Sequence, residues 1–131
     1  MQHATVFPWR TYDDADGAIT FLESAFGAAR HAYHAGEDGT VEHAELRFGN
    51  GIVMLGSSKP SLPATRGAGE PGMGIYIAVE DADAHFARAR AAGADIVSEL
   101  RDLGYSREYS ARDPEGNAWH FGTYQPLAGD G

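Results

Sequence analysis

The stretch that decides the fold is residues 109–124, YSARDPEGNAWHFGTY. Its DPEG segment, residues 113–116, suits a type I turn, because proline presets φ at the second position and Asp and Gly suit the flanks. We therefore predict a hairpin of two strands. Side chains alternate along a strand, so Trp119 and Phe121 share one face of the second strand and His120 lies on the other. An imidazole in that place is a candidate metal ligand, acid/base group, ligand contact or solvated surface residue.

The chain contains an internal repeat. The sequence DAD at residues 14–16 recurs at residues 81–83, and each copy is followed by a helical pattern that ends on Gly-Ala. The triplet LGS at residues 55–57 matches FGT at residues 121–123 with nearly the same offset. Self-similarity of this kind indicates a duplicated structural unit.

Each half reads as one strand, one helix and then three strands, which predicts an α+β fold of two βαβββ modules whose sheets curl around a concave cleft. The chain is a single domain at this length. Its predicted parts are module one, about 4–56; a linker rich in Pro, Gly and Ser, 57–72; module two, about 73–124; and a flexible tail, 125–131. The predicted strands are 6–12, 30–36, 41–48, 52–56, 74–79, 95–100, 105–112 and 118–124.

Strand alternation assigns one face of each sheet to the helices and leaves the other face open, concave and unusually polar. We predict that the open faces bind a ligand through Phe7, Trp9, His43, Glu45, Met54, Tyr76, Tyr109 and His120. His31 and His34 are three residues apart on a strand, so they are expected to point to opposite faces as solvated surface residues.

Composition narrows the range of partners. The formal charge of −9 argues against nucleic acid and against anionic membrane surfaces, and it favours a neutral or cationic ligand. The chain has no cysteine, which fits a reducing compartment. No basic and apolar leader and no run of membrane-spanning length is present, so we expect a cytoplasmic protein.

Three segments carry a family resemblance over nearly the whole chain: YDDADGAITFLESAFGA, GMGIYIAVEDADAHFARARAAGADI and SREYSARDPEGNAWHF. Together with the paired halves they resemble the vicinal oxygen chelate superfamily. That superfamily includes glyoxalase I, extradiol dioxygenases, methylmalonyl-CoA epimerases, fosfomycin-resistance transferases and the bleomycin-resistance binding proteins. The last segment most resembles the bleomycin-resistance group. The resemblance implies the glyoxalase/bleomycin resistance fold and a homodimer, in which halves of different chains often pair.

The resemblance also provides a test for metal-dependent chemistry. In metal-dependent members, ligands come from the first and last strands of each half, and those positions correspond here to Phe7, Met54, Gly74 and His120. Only His120 has a metal-binding side chain, and one imidazole does not hold a divalent ion against water. The resemblance therefore implies neither a catalytic metal nor another cofactor. An atypical metal site formed by His43, Glu45 and His120 remains an alternative, since two imidazoles and a carboxylate suit zinc or iron.

Three functions are compatible with these residues. The first is a metal-free protein that sequesters a small aromatic or cationic molecule, as in antibiotic or toxin resistance. The second is an enzyme of the same fold: a glyoxalase-like lyase or isomerase, or another that uses a divalent metal or His and Glu as acid/base groups. The third is a domain that binds another protein. The sequence does not specify a ligand or substrate.

Overall fold

The computed structural model describes residues 4–67 and 74–126. Within them the chain forms two helices and eight strands. In order these are β1 (Trp9–Tyr12), α1 (Ala15–Phe26), β2 (Ala29–Ala35), β3 (Val41–Phe48), β4 (Gly51–Ser57), β5 (Ile75–Ala78), α2 (Ala82–Ala91), β6 (Asp95–Asp102), β7 (Arg107–Arg112) and β8 (Ala118–Gly122).

The strands form two four-stranded mixed sheets with the same topology. Their orders are β1-β4-β3-β2 and β5-β8-β7-β6. In each sheet the first strand of the module pairs in parallel with the last, and the remaining pairs are antiparallel. Neither sheet closes into a barrel. The predicted α+β fold of two βαβββ modules is confirmed.

Several strand ends differ from the sequence-based prediction. Strand β1 begins at Trp9 rather than at residue 6. Pro8 explains part of this difference, because proline has no backbone N–H to donate to a neighbouring strand. Strand β7 begins at Arg107 rather than at residue 105, and β8 ends at Gly122 rather than at residue 124. Residues 68–73 of the predicted linker region and residues 127–131 of the predicted tail lie outside the described residues.

The two helices begin in the same way, as the DAD repeat predicts. The carboxylate of Asp14 accepts a hydrogen bond from the backbone N–H of Gly17 at 3.0 Å, and Asp81 accepts one from Ala84 at 3.0 Å. Each bond satisfies an N–H that has no partner within the helix. Helix α1 ends at Gly27, which has φ of 77°, a conformation that glycine adopts without a steric cost.

The two modules share one hydrophobic core on the helix side of the sheets. Phe26 at the end of α1 lies against two aromatic residues of β8, with ring centroids 5.8 Å from Trp119 and 4.7 Å from Phe121. Phe48 at the end of β3 lies 5.5 Å from Trp119. Trp119 and Phe121 therefore belong to the interface between the two modules.

A half-buried histidine adds polar contacts between the two modules. Nε2 of His85 lies 3.0 Å from the carbonyl oxygen of Phe26, and Nδ1 lies 2.6 Å from the hydroxyl of Tyr109. A carbonyl only accepts, so Nε2 carries the proton and Nδ1 accepts from Tyr109. Burial lowers the pKa of His85, which keeps the ring neutral and this arrangement of protons intact.

The carboxylate of Asp113, in the DPEGN hairpin, accepts hydrogen bonds from both modules. Its Oδ2 accepts hydrogen bonds from the Tyr12 hydroxyl at 2.6 Å and from Nε1 of Trp119 at 3.0 Å. Its Oδ1 accepts from the backbone N–H groups of Glu115 and Asn117, both at 3.0 Å. Burial raises the pKa of the Tyr12 hydroxyl, and the negative charge of Asp113 adds to that effect. Tyr12 belongs to module one and the other donors to module two, so this carboxylate joins the modules.

Two more residues of the same hairpin reach into module one. The Glu115 carboxylate accepts hydrogen bonds from the backbone N–H groups of Asp13 at 2.9 Å and Asp14 at 2.8 Å, at the start of α1. The Asn117 amide donates to the carbonyl oxygen of Thr65, after β4, at 2.9 Å. The DPEGN sequence therefore makes a turn within module two and also fixes the position of module one.

We expect Tyr12→Phe to lower the free energy of unfolding by about 2 kcal/mol, because it removes a buried hydrogen bond to a carboxylate. The measurement is urea unfolding followed by circular dichroism, with an unchanged m-value. Tyr33→Phe is the matched control, since the Tyr33 hydroxyl donates to the exposed Asp16. Equal stability losses in the two variants would contradict the central position of Asp113.

Candidate functional site

The open face of module one carries a row of three side chains that the sequence analysis selected. Trp9 of β1 lies opposite Met54 of β4, and Met54 lies opposite Glu45 of β3. Residues that are opposite one another on neighbouring strands share a face of the sheet. Trp9 is 40% exposed although it is a large aromatic residue, so its ring is available on this open face.

A glycine makes room for the indole of Trp9. A Cβ atom added at Gly56 of β4 would lie 3.3 Å from the outer ring carbon of Trp9 and 3.0 Å from the Glu42 carbonyl oxygen. The missing side chain lets the indole lie across β4 toward β3. There it stacks near the His43 ring, with centroids 6.1 Å apart and planes inclined by 20°.

Glu45 is surrounded by imidazoles. Nε2 of His43 lies 2.8 Å from its Oε2, and Nε2 of His31 lies 3.9 Å from its Oε1. The ring of His34 lies 6.1 Å from that of His43. The hydrogen bond from His43 lowers the pKa of Glu45, and the positive charge that these histidines can carry lowers it further.

The prediction that His31 and His34 point to opposite faces is wrong. The pairing of β2 with β3 shifts between Arg30 and Ala32, so His31 is an extra residue in the strand. Such a bulge interrupts the alternation of side chains. It brings His31 next to Glu45, while His34 lies opposite His43.

The open face of module two carries a matching row. Tyr76 of β5 lies opposite His120 of β8, and His120 lies opposite Ser110 of β7. The Ser110 hydroxyl is 2.7 Å from Nδ1 of His120. This contact holds one ring nitrogen of His120 and leaves Nε2 for another partner.

The two rows occupy equivalent places in the repeat. Met54 and His120 each lie at the centre of a row, on the last strand of their module. Trp9 and Tyr76 are the aromatic members on the first strands. Gly122 also corresponds to Gly56, because a Cβ added there would lie 2.7 Å from the Tyr76 hydroxyl. Each module thus places an aromatic ring from its first strand beside a glycine of its last strand.

The predicted position of Tyr109 on the open face is wrong. Tyr109 lies opposite Phe121, is 1% exposed, and stacks on that ring with centroids 5.0 Å apart. Its hydroxyl bonds to His85 on the helix side. Burial raises the pKa of this hydroxyl. Tyr109 is therefore a core residue, and the open face of β7 carries Ser110 instead.

Ser110 is the residue that sequence reasoning missed, although the sequence contained a signal for it. The DPEG turn closes with hydrogen bonds between Asp113 and Asn117. Counting back from that pair sets Arg112 opposite Ala118 and Ser110 opposite His120. Turn geometry fixes hairpin register, so the sequence of the turn is enough to derive this pairing.

Phe7 is the remaining residue of the predicted ligand-binding set. Phe7 precedes β1 and is 40% exposed. A cavity of about 570 Å³ lies between the segment before β1, strand β4 and strand β5, lined among others by Pro8, Ile52 and Tyr76. Met54 and His120 are not among its described lining residues, so in the single chain the two rows do not enclose this cavity.

The potential metal ligands do not converge. In residues 4–67 and 74–126, no group of three or more His, Cys, Asp or Glu side chains is arranged to hold a metal ion. His43 and Glu45 bond to each other on the first sheet, whereas His120 bonds to Ser110 on the second. No helix in the described part of the chain is both long and apolar enough to cross a membrane.

Comparison with known proteins gives consistent family matches. A family model described as Glyoxalase/Bleomycin resistance protein/Dioxygenase superfamily matches residues 2–121. A Mycobacterium bovis protein of uncharacterised function, Mb0911c, is 37% identical over 127 residues, which cover 92% of this chain and 82% of the relative. The crystal structure of TioX from Micromonospora sp. ML1 is 34% identical and matches with a TM-score of 0.73, covering 95% of this chain and 98% of TioX.

More distant structures share the fold alone. TnmS3, an antibiotic binding protein from Streptomyces sp. CB03234, is 20% identical with a TM-score of 0.68, covering 97% of this chain and 99% of TnmS3. A glyoxalase I mutant from Zea mays is 20% identical with a TM-score of 0.75. That match covers 92% of this chain but 45% of the maize protein.

We expect purified, untagged protein to contain no stoichiometric transition metal, because Phe7, Met54 and Gly74 offer no strong metal ligand at the positions that the resemblance assigns to one. The measurement is elemental analysis after native purification and after dialysis against Ni, Zn, Mn or Fe salts. About one equivalent of metal that is lost in His120→Ala would contradict this expectation.

Proposed function

Because the chain belongs to the Glyoxalase/Bleomycin resistance protein/Dioxygenase superfamily, we propose that it binds a small organic molecule on the open faces of its two sheets. In this proposal it acts without a catalytic metal and protects by sequestering an antibiotic or toxin. TnmS3 supports the proposal by analogy only, because a shared fold does not by itself transfer a function.

The observation that carries the proposal is the pair of equivalent rows, one in each module. Each row combines an exposed aromatic ring with a hydrogen-bonding side chain: Trp9 with Glu45, and Tyr76 with His120. Concave sites that combine aromatic surface with a few placed polar groups are typical of small-molecule recognition. Two such rows, brought together from different chains in a dimer, are suited to holding opposite sides of one guest.

The same side chains favour an aromatic and cationic guest. The ring faces of Trp9 and Tyr76 can stack on a planar group or lie beside a cation. Glu45 supplies a negative charge on the open face, and the net charge of −9 attracts cations over a longer range.

A second candidate function is catalysis at the same face. The 2.8 Å contact between His43 and Glu45 favours it, because an imidazole oriented by a carboxylate is a common acid/base arrangement. The maize glyoxalase I shows that an enzyme uses this fold. Chemical change of a bound ligand, lost in His43→Gln, would support catalysis over sequestration.

We further propose a homodimer in which the partner chain closes each open face into a cleft, because large apolar side chains are exposed at these faces in the described part of the chain. Several large apolar residues at these faces and before β1 are exposed: Val6, Phe7, Trp9 and Tyr76. Apolar surface of this kind marks interaction sites, and a twofold axis is the commonest way to cover it.

For assembly, light scattering should give twice the mass of one chain at micromolar concentration. Trp9→Ser is expected to shift the protein toward monomer, because it removes an exposed aromatic residue from the open face. Leu62→Ser is the control, since Leu62 is an exposed apolar residue in the turn after β4. A monomer mass for the parent protein at all concentrations would exclude the dimer.

For ligand binding, we expect His120→Ala to weaken a ligand found by thermal-shift screening about five- to thirty-fold. This range corresponds to one buried hydrogen bond of about 1–2 kcal/mol. Isothermal titration calorimetry measures the change, and circular dichroism checks that the fold is intact. Ser110→Ala should weaken binding less, because Ser110 positions the imidazole without contacting the guest.

The result for His120 also distinguishes the open face from the core. Thr20→Ala, on the exposed side of α1, is a control that should bind like the parent. A ligand that binds His120→Ala as tightly as the parent would show that the site lies elsewhere.

A further inference from the structure

Half of the histidines in the chain lie around one carboxylate. The chain has six histidines, and His31, His34 and His43 lie on β2 and β3 beside Glu45. His31 reaches Glu45 only because β2 contains a bulge at that residue. The bulge therefore adds the ionisable imidazole of His31 to the surroundings of the Glu45 carboxylate.

Few charged side chains other than the histidines lie near Glu45. Strands β1 and β4 contribute Trp9, Met54 and Gly56 to this face, none of which is charged. On β3, Arg47 has the same alternation as Glu45, but the interactions that lower the pKa of Glu45 come from His43, His31 and His34. On β2, Arg30 extends to Glu23 of α1 at 3.5 Å.

The charge of this face therefore depends on the histidines. With three neutral imidazoles, the Glu45 carboxylate has no charged partner among the described side chains that contact it. With three protonated imidazoles, the same face carries three more positive charges. Histidine is the side chain whose charge ordinarily changes between about pH 5 and pH 8.

We propose that the Glu45 carboxylate and the exposed indole of Trp9 form a subsite for the cationic group of the ligand. Protonation of His31, His34 and His43 opposes binding of that cation. This inference rests on the proposed ligand-binding function. The cation lies against the Trp9 ring and takes the place on the Glu45 carboxylate that His43 occupies in the free protein. An ammonium or quaternary ammonium group on an aromatic molecule has this chemistry.

The direction of the pH dependence follows from competition. A bound cation disfavours protonation of the surrounding imidazoles, so the complex holds fewer protons than the free protein. Affinity must then rise with pH between about pH 5 and pH 8, where imidazole side chains in general change charge. Each proton excluded contributes at most about a tenfold change in affinity per pH unit.

The test uses benzyltrimethylammonium, whose charge does not change with pH. Its dissociation constant is measured by NMR titration at pH 5.5 and pH 7.5, at constant ionic strength. We expect about tenfold tighter binding at pH 7.5. Glu45→Gln should weaken binding about tenfold at pH 7.5, and His43→Gln should reduce the pH dependence, because it removes the imidazole that competes with the cation for Glu45.

Glu42→Gln is the matched control, because it removes the same charge from the same strand. The Glu42 side chain is largely exposed and pairs with Lys59 at 3.8 Å, away from the histidines. This variant should keep both the affinity and the pH dependence of the parent.

Each contrary result has a separate meaning. No binding of the probe at either pH, equal affinity at both, or an unchanged affinity in Glu45→Gln would overturn the subsite. If His120→Ala then still weakens a ligand from screening, the proposed function stands without this subsite. If no organic molecule binds at the open faces, the proposed function itself is wrong.

Discussion

The structure depends on a buried carboxylate that belongs to neither module alone. Asp113 sits in the hairpin of module two, yet the shortest of its hydrogen bonds comes from Tyr12 at the end of β1. A buried carboxylate without partners would cost several kcal/mol, so its donors must be held in place for the chain to fold. The same bonds set the last residue of β1 against Trp119 of β8. Trp9 and His120, which belong to these two strands, are thereby fixed in relation to each other.

Duplication explains why the candidate site has two similar halves, and divergence explains why they differ chemically. The places of Gly56 and Gly122 beside an aromatic ring are the same in both modules. The centre of the row is Met54 in one module and His120 in the other, and the third members are Glu45 and Ser110. Module one thus has the Glu45 carboxylate beside Met54, whereas module two has the His120 imidazole and the Ser110 hydroxyl, with the Glu108 carboxylate opposite Gly122 on the same face.

Local rules predicted much of this fold, because the sequence agrees with them at most positions. The DAD caps, the glycine that ends α1 and the DPEG turn each act within a few residues, and all three occur in the structure. The buried positions of α1 also follow the helical spacing. What the sequence did not reveal is that the DPEGN hairpin also contacts module one, because those partners are about a hundred residues away.

The candidate site was less predictable for two physical reasons. A bulge changes alternation without a distinct sequence pattern, so strict alternation wrongly separates His31 from His34. Tyr109 carries a hydroxyl, which suits an open polar face. In the structure, however, this hydroxyl bonds to His85 on the helix side, a contact that only tertiary packing shows. Register counted from the turn, rather than polarity, would have placed both Tyr109 and Ser110 correctly.

The central claim is that the two rows act together as one binding site, and the most direct measurement is amide chemical-shift mapping with a ligand found by screening. Gly56 and Gly122 are suitable reporters, since Gly56 lies beside the Trp9 indole and Gly122 beside the Tyr76 hydroxyl. The account predicts that both amides shift with the same dissociation constant, while amides on the exposed side of α1 do not move. Shifts confined to one module, or to the helix side of the sheets, would contradict it.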